Sequence, residues 1–154
     1  MSHSLAINES ILGIIPVGLL CVGVSMQNTE ISILIVEDEP RIRTLLLDLL
    51  APKYACSSAE SASSAIRMME SRFFHLALVD NGLPGMSGIS LCRLIVNRSP
   101  QTAVLVVSGN TDAQSIDEAM KAGATDYIIK PFTLAQVVEA VELSLKRHLP
   151  KSVA

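Results

Sequence analysis

With 154 residues there is room for one domain with a full hydrophobic core and little for a second. Hydrophobic residues make up 49% of the chain and charged residues 18%, which excludes disorder over most of its length. The net charge of −3, with basic residues scattered apart from Lys146-Arg147-His148, gives no electrostatic basis for binding nucleic acid.

In chain order, the first thirty residues stand apart. Ile11 to Met26, ILGIIPVGLLCVGVSM, is almost wholly apolar but is broken by Pro16 and three glycines. It is shorter than the ~20 residues that span a bilayer as a helix. The preceding MSHSLAINES carries Glu9 and no basic residue, unlike a secretory signal. A lipoprotein site at Cys21 is disfavoured by Leu20, where that signal has a small residue. Three readings stand for this segment: a misassigned start, a membrane-binding addition, or a helix covering an exposed surface. Residues 1–29 are therefore read as an extension, 30–149 as the domain and 150–154 as a short tail.

From Glu30 onward the pattern is regular. Ile31 to Val36 reads as a buried strand ending in Glu37-Asp38-Glu39-Pro40. Pro40 suits a first helical turn, and the acids before it favour the positive end of a helix. Ile42, Leu45, Leu46 and Leu49 then fall on one helical face. Tyr54 to Ser58 reads as a short strand and Ala62 to Glu70 as a helix. Leu76 to Val79 is a strand running into Asp80 and a loop of three glycines and a proline, NGLPGMSG. A helix over Ile89 to Val96 starts near Ser87 or Gly88. Ala103 to Val107 is a buried strand ending at Ser108-Gly109, and Asp112 to Lys121 is a helix stopped by Gly123. Tyr127 to Ile129 is a last strand before Lys130-Pro131-Phe132. The final helix runs from about Thr133 to His148, with Leu134, Val137, Val138, Val141 and Leu145 as its core stripe. Five strands alternating with five helices through short connections give an α/β, doubly wound, parallel sheet.

In such a sheet the carboxyl ends of the strands share one edge, where ligand sites gather. That edge receives Glu37 and Asp38 from the first strand, Asp80 from the third, Ser108 from the fourth and Lys130 from the fifth. Each has a plainer reading alone: helix capping for the acid pair, turn formation for Asp80 and Ser108, a sheet exit for Lys-Pro. Three carboxylates brought together repel unless a cation neutralises them. Oxygen ligands without His or Cys favour a hard ion such as Mg²⁺. Cys21, Cys56 and Cys92, like His3, His75 and His148, are dispersed and form no metal-ligand spacing. A lysine and a hydroxyl suit phosphoryl oxygens. The chemistry suggested is phosphoryl transfer to a carboxylate.

The segments IVEDEP, LVDNGLPGMSG, VVSGN and DYIIKPF, taken together, closely resemble the receiver domain of bacterial two-component response regulators, over roughly Glu30 to His148. The resemblance implies a flavodoxin-like sheet in the order 2-1-3-4-5. It implies that Asp80 takes a phosphoryl group from a histidine kinase or phosphotransfer protein. Mg²⁺ would be bound by Asp38, Asp80 and the backbone carbonyl of Gly82, with Glu37 acting through water. Ser108 would contact the phosphoryl group, Lys130 would pair with it, and Tyr127 would change rotamer on activation. Lys130-Pro131 resembles the family's cis peptide bond. The resemblance also implies kinase docking on the first helix, where Leu47 lies off the apolar stripe, and places Leu143 on the side of the family's activated surface.

Other classes fit less well. Hydrolases with an aspartate nucleophile resemble DxD after the strand, where this chain has Asp80-Asn81-Gly82, and a dinucleotide site needs GxGxxG where EDEPR stands. A non-phosphorylated interaction module of the same fold is the alternative, although such proteins commonly lose one of the acids, the lysine or the hydroxyl. Only PKSVA follows Leu149, so the expectation is a stand-alone, single-domain regulator. It would be cytoplasmic and would catalyse only its own phosphorylation and dephosphorylation. Membrane association would arise only through residues 11–26.

Overall fold

The computed structural model describes residues 30–150. The apolar run 11–26, and with it the membrane and start-site readings, lies outside the described residues. The elements alternate strictly: β1 (Ser32–Val36), α1 (Pro40–Leu50), β2 (Ala55–Ala59), α2 (Ala62–Ser71), β3 (Leu76–Asp80), α3 (Gly88–Arg98), β4 (Ala103–Ser108), α4 (Ala113–Lys121), β5 (Asp126–Ile129) and α5 (Leu134–His148). All strand pairs are parallel and the sheet order is β2-β1-β3-β4-β5.

The continuous apolar strands are explained by burial on both faces. Along β1, Leu34 and Val36 face one core, and Ile33 and Ile35 face the other. Along β3, Ala77 and Val79 alternate with Leu76 and Leu78 in the same way. The first core is closed by α2, α3 and α4 through Ala62, Ala65, Leu91, Cys92, Ile95 and Ala119. The second is closed by α1 and α5 through Leu46, Leu50, Val137, Val141 and Leu145. Each such large side chain removed from water contributes about 1.5–3 kcal/mol, before the entropy of ordering it.

Two helices are rotated from the faces expected. In α1, Leu46 and Leu50 are buried, Ile42, Leu47 and Leu49 flank them against the second core, and Leu45 is 44% exposed. At ~100° per residue, the centre of the face lies between Leu46 and Leu50, which leaves Leu45 farthest from it. Leu47 is thus half-buried, not the outlying leucine expected. In α5, Leu134 is exposed in the first turn, and Ala140 and Ser144 complete the stripe in its place.

Helix starts are set by side-chain caps at four of the five helices among the described residues. Ser61, Ser87 and Asp112 each accept an amide hydrogen bond from three residues on, and Thr133 forms a reciprocal capping box with Gln136. α1 is the exception. Glu39 precedes it without a capping bond, and Pro40 occupies its first turn. The acids before α1 are therefore left for another use.

Candidate functional site

Glu37 continues β1 by one residue, donating its amide to the Ala59 carbonyl at 3.1 Å. This step carries its side chain over the carboxyl edge of the sheet, where it is only 2% exposed. Asp80 ends β3 beside Val107 and is 6% exposed. Lys130 follows β5, its amide donating to the Ser108 carbonyl at 2.8 Å. The three side chains converge: Lys130 Nζ lies 2.8 Å from Asp80 Oδ1 and 3.2 Å from Glu37 Oε2. The other Glu37 oxygen, Oε1, accepts the Glu39 amide at 3.1 Å. Asp38 is exposed, yet one carboxylate oxygen each of Glu37, Asp38 and Asp80 lie within 4.8 Å of one another.

Burial pushes the Glu37 carboxyl above its ordinary value; the Glu39 amide opposes this, the Asp80 charge adds to it, and Lys130 opposes it. For Lys130, burial works to lower the value, but its contacts with Asp80 and Glu37 outweigh this and raise it. A half-buried ammonium therefore holds two buried carboxylates that would otherwise repel.

The loop after Asp80 is fixed at both ends. The Asn81 amide donates to the Val107 carbonyl at 2.8 Å, and Asn81 Oδ1 accepts the Ile89 amide at 3.0 Å. The Asn81 carbonyl accepts the Gly88 amide at 3.2 Å. Gly88 must be glycine, because a Cβ there would lie 2.3 Å from the Asp80 carbonyl oxygen. Gly82 stands beside the site: a Cβ on it would lie 3.3 Å from Asp80 Oδ2. The β1–α1 turn is tied by Arg43, whose Nη1 donates to the Glu37 carbonyl at 2.8 Å and the Asp38 carbonyl at 3.3 Å.

Ser108 is buried at the end of β4, and its Oγ accepts the Asn110 amide at 3.1 Å. Tyr127 is half-buried, and its hydroxyl donates to the Asn110 carbonyl at 3.0 Å. Both switch candidates thus contact the backbone of one residue. The Lys130–Pro131 peptide is cis. Leu143 is 38% exposed and, with Tyr127 and Ile129, lines a groove of about 390 Å³ along β5 and α5.

Sequence reasoning missed Arg43, Asn81 and Gly88. Gly88 had a signal, a glycine immediately after the capping Ser87 where any side chain would be expected. The side chains of Arg43 and Asn81 act through bonds to or from the backbone, which leave no periodic trace.

The donor set suits a hard divalent cation: three carboxylate oxygens in reach of one another, with no His or Cys among them. Among the described residues no helix is long and apolar enough to cross a membrane.

Comparison with known proteins agrees with this geometry. The family model for the response regulator receiver domain matches residues 33–142. The chain is 35% identical over 122 residues to the transcriptional regulatory protein ResD of Bacillus subtilis, covering 79% of this chain and 50% of that protein. It is 36% identical over 120 residues to the response regulator protein PilR of Pseudomonas aeruginosa, covering 77% of this chain and 27% of that one. The chain thus spans about half, or less, of the curated relatives it matches. Among solved structures, a CheY-like response regulator receiver domain protein from Methanospirillum hungatei superposes with a TM-score of 0.74 at 28% identity, covering 78% of this chain and 97% of that one. The receiver domain of NtrX from Brucella abortus does so with a TM-score of 0.69 at 30% identity, covering 74% and 98%. With the sheet order, the acid cluster at its carboxyl edge and these matches in agreement, the chain belongs to the response regulator receiver domain family.

Proposed function

We propose that this chain is a phosphoaccepting receiver, taking a phosphoryl group onto Asp80 from a phosphohistidine of a histidine kinase or phosphotransfer protein. The observation that carries the reading is the contact of Lys130 Nζ with Asp80 Oδ1, beside Glu37 and Asp38. In the transfer, an Asp80 carboxylate oxygen attacks phosphorus, the bond from phosphorus to the imidazole nitrogen breaks, and that nitrogen keeps the electron pair and takes a proton. Asp38, Asp80 and the Gly82 carbonyl would hold Mg²⁺, with Glu37 joining through water. Bound there, the ion supplies charge neutralisation for the attacking carboxylate and the incoming phosphoryl oxygens.

The chain's own residues do the rest. Lys130 holds the Asp80 carboxylate in place through its ion pair and then pairs with a phosphoryl oxygen. The Ser108 hydroxyl turns from the Asn110 amide to donate to another. Because Tyr127 also bonds the Asn110 backbone, that change reaches Tyr127 and the exposed β5–α5 surface around Leu143. The output is then a changed partner surface, or onward relay of the phosphoryl group, and the chain catalyses no other turnover. Leu143, with Leu45 in place of Leu47, offers apolar docking area, and the proposed setting is the cytoplasm.

Incubation of the full chain with acetyl phosphate tests this reading. Intact-mass measurement should show one phosphoryl group added, dependent on Mg²⁺, stable in acid and removed by alkali. No adduct under those conditions, with the fold intact, would favour a non-phosphorylated interaction module.

A further inference from the structure

Arg43 occupies the opening of α1, where a cation is opposed by the positive end of the helix dipole. It nevertheless folds back over the preceding turn. Nη1 meets the carbonyls of two successive residues, Glu37 at 2.8 Å and Asp38 at 3.3 Å. Those are the two residues that bring carboxylates to Asp80, and neither of them caps α1. One planar guanidinium, held by its half-buried stem, thus restrains the backbone that carries both acids.

We propose that Arg43 is a positioning residue for the divalent-cation site, holding Glu37 and Asp38 in place for metal binding through their backbone carbonyls. The inference rests on the receiver reading of the site. Three carboxylates that repel in the metal-free chain need such a restraint, since otherwise the exposed Asp38 would swing into water. Lys130 restrains Glu37 and Asp80 from the other side but makes no contact with Asp38 within ion-pair distance. Arg43 alone, among the described side chains, bonds to both residues of the acid pair.

The sign of the effect separates positioning from charge. A cation near a metal site repels the metal, so an Arg43 acting only by its charge would weaken binding, and its removal would tighten it. A positioning residue does the reverse. Outer-sphere partners of metal ligands typically contribute about 10–100-fold in affinity.

The test is Mn²⁺ binding to the full chain without phosphodonor, read from the electron paramagnetic resonance signal of free Mn²⁺. Arg43→Gln should raise the dissociation constant by about tenfold or more. Arg43→Lys, which keeps the charge but lacks the fork, should also weaken binding. Arg41→Gln removes the same charge from the same helical turn without a bond to the acid pair, and should leave binding unchanged or slightly tighter. Saturating Mg²⁺ should return the acetyl phosphate labelling rate of Arg43→Gln to near that of the unaltered chain. Unchanged or tighter Mn²⁺ binding in a folded Arg43→Gln chain would overturn the inference. If circular dichroism shows that variant unfolded, Arg43→Lys decides, and an affinity equal to the unaltered chain overturns it. Absence of Mn²⁺ binding by the unaltered chain would overturn the metal-site reading beneath it.

Discussion

Lys130 and Asp80 face each other across the carboxyl edge of the sheet, 2.8 Å between Nζ and Oδ1, and the same ammonium lies 3.2 Å from Glu37. Replacing it by methionine removes the cation from between two buried carboxylates. Breaking a buried pair costs more than losing a surface one, and the partial exposure of Lys130 reduces the figure. Lys130→Met should therefore lower the unfolding free energy of the metal-free chain by about 1–3 kcal/mol in urea titration. Because its contacts raise the Lys130 pKa, the pairing is fully present below the ordinary lysine value of 10.5 and fades as pH rises through the raised one. The gap between the two proteins should close in that alkaline window. A gap that persists there would mean that lost packing, not charge, causes it.

Glu37 behaves oppositely. Its folded-state pKa is raised above the ordinary 4.5, chiefly by burial, so at pH just above 4.5 the folded chain holds a proton that the unfolded chain has lost. Stability then falls as pH rises through that window, and the cost is fully present once the folded carboxyl has ionised. Glu37→Gln should raise the melting temperature of the metal-free chain by a few degrees at pH 7, with the gain shrinking toward pH 4. A gain of equal size at both pH values would show that Glu37 ionisation is not its source.

Gly88 is a steric requirement of the Asp80 loop. A methyl group there meets the Asp80 carbonyl oxygen at 2.3 Å and the Asn81 Cα at 2.6 Å, both backbone atoms without freedom to move aside. Gly88→Ala should cost about 1–3 kcal/mol in unfolding free energy, as overpacking commonly does. It should also slow acetyl phosphate labelling, because the shift falls on the strand end that carries Asp80. Unaltered stability and labelling would show that the loop relaxes freely.

The exposed Leu45 and the half-buried Leu47 give opposite readouts on one helix. Leu45→Glu should leave the urea midpoint nearly unchanged and slow transfer from a cognate kinase while acetyl phosphate labelling stays intact. Leu47→Glu should lower the midpoint, since it places a charge against the second core. The reverse pattern would mean that α1 is rotated from the orientation found.

The order of elements was legible because strands buried on both faces are unbroken apolar runs and turn residues punctuate them, as at LVDNGLPG and VVSGN. The chemistry was legible for the same reason, since parallel strands bring Glu37, Asp38, Asp80, Ser108 and Lys130 to one edge wherever they fall in sequence. Helix rotation was not. In a run of consecutive leucines such as Leu45-Leu46-Leu47, periodicity alone does not choose which faces the core, and the docking of α1 against Ile33 and Ile35 does. Leu134 was misread because a first-turn residue can satisfy the periodic pattern while lying beyond the edge of the core. Arg43 and Asn81 were invisible because their side chains bond to or from backbone groups brought near by the fold.

The central claim is that Asp80 itself receives the phosphoryl group. The most direct measurement is to label the full chain with acetyl phosphate and Mg²⁺, reduce the acyl phosphate with borohydride, and sequence the peptides by mass spectrometry. An aspartyl phosphate is thereby converted to homoserine. The account predicts homoserine at position 80 and nowhere else, with none in Asp80→Asn. Homoserine at Asp38 or another carboxylate, or phosphoryl uptake by Asp80→Asn equal to that of the unaltered chain, would contradict it.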